Sequence, residues 1–151
     1  LRKFAFPLEK VLEVRELKRL IAEERLGALL NEMYAIEHAL ELIEQRETQN
    51  RHDLLALAKQ GFDSFQMKAI LNYGAALNED IRRTKEQLAK QTLLVREAQE
   101  EAILRTREKK ALEQVKEKHR SQYMESYWWE QNKELDEIGS RYYQRNGKEV
   151  T

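Results

Sequence analysis

Gly61-Phe62-Asp63-Ser64 is where a chain that otherwise has helical patterning is told to stop and start again. Gly61 can take the left-handed conformation that ends a helix without a Cβ clash. Asp63 or Ser64 can then accept hydrogen bonds from the first free N–H groups of the next helix. Apolar patterns with helical spacing lie on both sides, so the stretch predicts the bend of a hairpin. A second weak point follows at Asn72-Tyr73-Gly74. It fits either a short helix over about 64–71 ending in a kink, or a glycine tolerated inside one helix at about 1 kcal/mol relative to Ala. The expected organisation is a single coiled-coil domain over 1–151, with helix 1 at about 7–60, the turn and short helix at about 61–74, and helix 2 at about 75–146.

Working outward from the turn, Leu26, Leu29, Met33, Ile36, Leu40, Ile43, Glu47, Asn50, Leu54 and Leu57 step by three and four. That is the seam of a coiled coil. Glu47 and Asn50 are its polar members. A buried polar residue in a seam specifies alignment at a cost in stability, which is preferred here over a coil loosened near a binding surface. Upstream, Val14, Leu17 and Ile21 form a stripe in another phase, which predicts a stutter near Glu23-Glu24-Arg25. Beyond the turn, Leu77, Ile81, Thr84, Leu88, Gln91, Val95, Ala98 and Ala102 continue at seam spacing. Glu47–Arg51, Glu86–Lys90, Glu101–Arg105 and Glu137–Arg141 are placed to support the outer faces, each contributing a few tenths of a kcal/mol.

The fold class expected is therefore all-α: a long antiparallel two-helix coiled-coil hairpin with a short helix or kink near the turn. Folding at 61–74 sets Leu54 near Leu77, Leu40 near Val95, and the first turn near 123–129. Tyr123, Tyr127, Trp128 and Trp129 then approach Phe4, Phe6 and Leu8, and helix 2 projects alone from about 130 to 146. Pro7 sits where the first turn of a helix accepts it, with Phe6 able to pack back on that turn. Whether the Tyr-Trp-Trp cluster is covered by Phe4 and Phe6 or exposed to a partner stays open.

Composition narrows the function classes. The chain has 151 residues, one Pro, five Gly and no Cys, and 36% of its residues are charged. That is coiled-coil composition. Twenty-seven basic and 27 acidic residues cancel, so there is no general drive toward nucleic acid. Without Cys there is no disulfide and no thiolate metal site. No segment has membrane-span character and no signal peptide is evident, so a cytoplasmic protein is expected. There is no glycine-rich phosphate loop, HExxH or nucleophile elbow. His38, His52 and His119 are far apart and are expected on helix surfaces or in the seam, with no metal site. No catalytic residue and no cofactor are expected, and the protein is not expected to be an enzyme.

Charge is segregated. Residues 105–120 hold seven bases against three acids, and residues 32–53 hold six acids against two bases. A solvated face with some pairing inside the hairpin is the default for such runs; contact with an acidic partner is the alternative. The fold at 61–74 would set the basic block opposite roughly 15–30.

Three stretches carry a family resemblance. Phe4-Ala5-Phe6-Pro7-Leu8-Glu9-Lys10-Val11-Leu12-Glu13-Val14-Arg15 resembles the start of the flagellar export protein FliJ family. Lys109-Lys110-Ala111-Leu112-Glu113-Gln114-Val115-Lys116-Glu117-Lys118 and Glu130-Gln131-Asn132-Lys133-Glu134-Leu135-Asp136-Glu137-Ile138 resemble its distal segments, with Asn132 as an irregularity. The resemblance implies a component of the bacterial flagellar type III export apparatus. It implies a stalk-like rod whose terminal end enters and stimulates the hexameric export ATPase, and whose surface near the turn meets the membrane export gate protein. Carried over, the ATPase-binding residues are Val11, Arg15, Lys18, Arg19, Arg141, Tyr142 and Arg145. The gate-binding residues are Ile43, Arg46, Asn50, Tyr73, Leu77 and Asp80; aromatics are typical of the family at some positions held here by Arg46 and Asn50. Export chaperones are further implied partners, and an adaptor that escorts them without a shaft role is the alternative. The implied location is cytoplasmic and peripheral, at the inner face of the cell membrane at the flagellar base. A hairpin that satisfies its own seam is expected to be a monomer.

Overall fold

The computed structural model describes residues 3–61 and 63–149, with side chains through Gly147; Phe62 of the turn lies outside the described residues. Two helices account for nearly all of it: α1, Glu9–Gln60, and α2, Ser64–Glu149. Pro7 and Leu8 form a turn ahead of α1, where the Glu9 N–H donates to the Phe6 carbonyl (3.1 Å). Gly61 ends α1 with φ +81°, the left-handed value that glycine adopts without strain. Asp63 caps α2. Its carboxylate accepts the Phe65 N–H at 3.2 Å, and its carbonyl accepts the Met67 N–H at 3.0 Å. α2 is continuous through Asn72-Tyr73-Gly74, so of the two possibilities at Gly74 the glycine lies inside a helix.

The chain divides into two compact units, one of residues 19–104 and one of residues 1–18 with 105–151. In the first, α1 and α2 pair antiparallel from the turn. Every expected seam residue over 26–57 and over 77–102 is buried or half-buried. Ala98 is buried at 3% exposure, where a small side chain lets the helices pack closely. Polar seam residues cross from one helix to the other. Asn50 Nδ2 donates to the Ile70 carbonyl (3.2 Å), and Gln91 Nε2 donates to the Leu29 carbonyl (3.0 Å) and to Glu32 Oε2 (3.2 Å). Glu47 is buried and paired with exposed Arg51, so this pair joins seam to surface instead of decorating an outer face.

In the second unit, the start of α1 lies along the distal half of α2. Arg15 Nη1 donates to the Glu108 carbonyl at 2.8 Å. Lys109 Nζ pairs with Glu16 (2.7 Å) and Lys116 Nζ with Glu9 (2.8 Å). Phe6 is buried edge-on against His119, and Phe4 packs on Tyr123, both at 5.6 Å between centroids.

Two expectations are corrected. The stripe of Val14, Leu17 and Ile21 is exposed. The residues that are covered are Leu12, Arg15, Arg19 and Ala22, which keep the three-and-four spacing of Leu26 onward. There is no stutter, because the long aliphatic stems of Arg15 and Arg19 cover the seam where apolar residues were sought. The register also differs from the one expected. Asn50 faces Gly74, Gln91 faces Glu32, Arg15 faces Glu108 and Phe6 faces His119. Each pair is nearly symmetric about position 62. A tight turn starts pairing at once, whereas a loop through residue 74 would have displaced it by more than two helical turns. The basic block accordingly meets Glu9 and Glu16, and residues beyond Tyr123 already outrun Phe4.

Candidate interaction surfaces

Among the described residues, the faces that can meet a partner are helix surfaces. A shallow groove lined by Glu41, Glu44, Gln45, Thr48, Gln49 and His52 belongs to α1 alone and has no opposite wall. Among the described residues no cluster of three His, Asp or Glu is placed to hold a metal ion. Among the described residues no helix is long and apolar enough to cross a membrane.

Near the turn, the residues expected at the gate-binding surface divide in two. Leu77 is buried, while Ile43 and Asn50 are half-buried seam residues. Arg46, Tyr73 and Asp80 are exposed. Close by, Arg82 bridges Glu79 (2.6 Å) and Glu86 (2.6 Å), and Arg83 adds a contact to Glu79 (3.2 Å). The Arg82 hydrogen bond holds the Glu79 carboxyl down at about 2, against an ordinary 4.5. The same pairing pushes the Arg82 guanidinium up.

Toward the termini the expected ATPase-binding residues are likewise of two kinds. Arg15 is occupied with the Glu108 carbonyl, and Arg19 is half-buried with its guanidinium on Glu23 (2.7 Å). Val11, Lys18, Arg141, Tyr142 and Arg145 are exposed. Lys109 is raised above its usual lysine value, chiefly by the Glu16 hydrogen bond, which keeps that cross-helix pair charged. Trp128 and Trp129 are exposed, Lys133 lying 5.3 Å over the Trp129 ring; Phe4 covers Tyr123 and not the tryptophans. Further along α2, Leu135, Ile138, Tyr142 and Tyr143 are all more than 60% exposed. Two apolar faces are exposed: Val14 with Leu17 on α1, which were expected in a seam stripe, and Leu135 with Ile138 on α2, in the stretch expected to project alone.

Residues 4–148 match the family described as Flagellar FliJ protein. The chain belongs to the FliJ family. This FliJ-family chain is thereby a component of the flagellar and type III export machinery, whose family members are non-enzymatic and interact with the export apparatus. No curated protein matches it. Among solved structures, a putative YscO homolog from Chlamydia trachomatis is similar at 18% identity and TM-score 0.48, over 97% of this chain and 99% of that one.

Proposed function

We propose that this FliJ-family chain is the stalk of the flagellar export ATPase. Its terminal end enters the hexameric ring and stimulates it, and the surface near the turn meets the export gate protein at the inner face of the membrane. The observation that carries this reading is the length of α2 beyond Phe4, a single helix whose surface carries Arg141, Tyr142 and Arg145. A single helix is the narrowest element a ring could admit. One chain inside a six-membered ring also faces a symmetry mismatch, so its contacts must be few and tolerant. Exposed cations such as Lys18, Arg141 and Arg145 suit that, because surface pairs are weak and screened. Val11, Val14 and Leu17 add an exposed apolar face on the same terminal unit. Near the turn, Arg46, Tyr73 and Asp80 are the residues offered to the gate protein.

Deleting residues 140–151, or substituting Lys18→Glu with Arg141→Glu, should weaken stimulation of the ATPase while leaving helicity intact by circular dichroism. Full stimulation by both variants would remove the terminal end from the mechanism. Chaperone binding retained by the same variants, with no stimulation by the natural chain, would favour an adaptor instead.

A further inference from the structure

The exposed C-terminal part of α2 carries a seam of its own. Trp128, Gln131, Leu135, Ile138, Tyr142 and Arg145 alternate three and four apart, and all but half-buried Gln131 are exposed. In a heptad whose core positions are a and d, Leu135 and Tyr142 take a, and Ile138 and Arg145 take d. The flanking g positions are then Glu134 and Arg141, both exposed. A groove beside this stripe is lined by Ile138, Arg141, Tyr142 and Arg145.

We propose that the occupant of this stripe is the same stripe of a second copy, running antiparallel. A two-fold axis between Asp136 and Glu137 sets Leu135 against Ile138 of the partner copy, and Ile138 against its Leu135. Gln131 then meets Tyr142, and Trp128 meets Arg145, a cation over the best aromatic face for it. At the flanks, g faces g in an antiparallel pair, so Glu134 of each copy meets Arg141 of the other. Both flanking pairs are opposite in charge. Gly139, whose missing Cβ has open space around it, lies at the other flank and lets the helices come close. The parallel arrangement has none of this. It would stack Arg145 on Arg145 and set Glu134 against Gly139, without an ion pair. Charge complementarity thus selects both the partner and its direction.

This departs from the expected monomer, because the hairpin satisfies its own seam and leaves this one over. A seam this short gives a weak dimer. It goes beyond the stalk reading and does not depend on it; a chain paired in this way cannot also present the stripe to a ring.

The test is sedimentation equilibrium of the full chain from about 10 µM to about 1 mM. The natural chain should pass from monomer to dimer. Glu134→Arg alone sets cation against cation in both flanking pairs, and Arg141→Glu sets anion against anion. Each should weaken association about tenfold or more. The double exchange Glu134→Arg with Arg141→Glu restores opposite charges and should return association to within about threefold. Because these residues lie on an exposed helix, circular dichroism should be unchanged. A monomer throughout the range would overturn the proposal. So would single reversals without effect, or a double exchange that adds the two losses; either would leave the stripe to a different protein or the dimer to a different face.

Discussion

The side-chain amide of Asn50 occupies the space that a side chain on Gly74 would need. Its Nδ2 lies 2.8 Å from where a Gly74 Cβ would stand, and it donates to the Ile70 carbonyl one turn earlier on the same helix. The two residues that looked like defects, a polar group in the seam and a glycine in a helix, are one feature. Asn50 reaches α2 only where the facing residue has no side chain, so it fits one register.

Gly74→Ala is therefore expected to be nearly neutral. The gain in helix propensity, about 1 kcal/mol, is offset by displacing a hydrogen bond of about 1 kcal/mol. In an Asn50→Ala background the same substitution should stabilise by about 1 kcal/mol. Urea unfolding of the four chains measures this; simple additivity would separate the two residues.

Ala98→Leu should destabilise by about 1–3 kcal/mol, because the added methylenes enter a buried seam position. Ala98 is 3% exposed. The reference is Leu94→Ala on an exposed position of α2, which should stay within about 0.5 kcal/mol. Equal thermal shifts for the two would contradict a close-packed seam at this layer.

The seam from Leu26 to Leu57 and from Leu77 to Ala102 was legible because its spacing is regular and mostly apolar. The turn was legible because Gly61 and Asp63 have distinct backbone roles. Register was not, since a glycine at 74 resembles a break until Asn50 is seen against it. The phase before Leu26 was also hidden. Apolar content pointed to Val14, Leu17 and Ile21, whereas the covered positions there include Arg15 and Arg19. Of the candidate contact residues, those in the seam, such as Leu77, could be told from surface ones by heptad position alone. Arg15 could not, because its bond to a carbonyl depends on register.

Glu79 gives a pH signature. Its folded-state value of about 2 lies below the ordinary 4.5, so its pairing favours the folded state above the ordinary value and is lost as pH falls through 4.5 toward 2. Carboxyl titration followed by NMR should place Glu79 near the lower value. In Arg82→Ala the midpoint should rise toward 4.5, since Arg82 is the principal cause. A Glu79 midpoint unmoved by that substitution would contradict the pairing.

The stalk assignment is tested most directly by the turnover of the cognate flagellar export ATPase, titrated with this chain. The expected result is stimulation that saturates at about one chain per hexamer, with more hexamer formed. Turnover and assembly that do not respond at any ratio would contradict it.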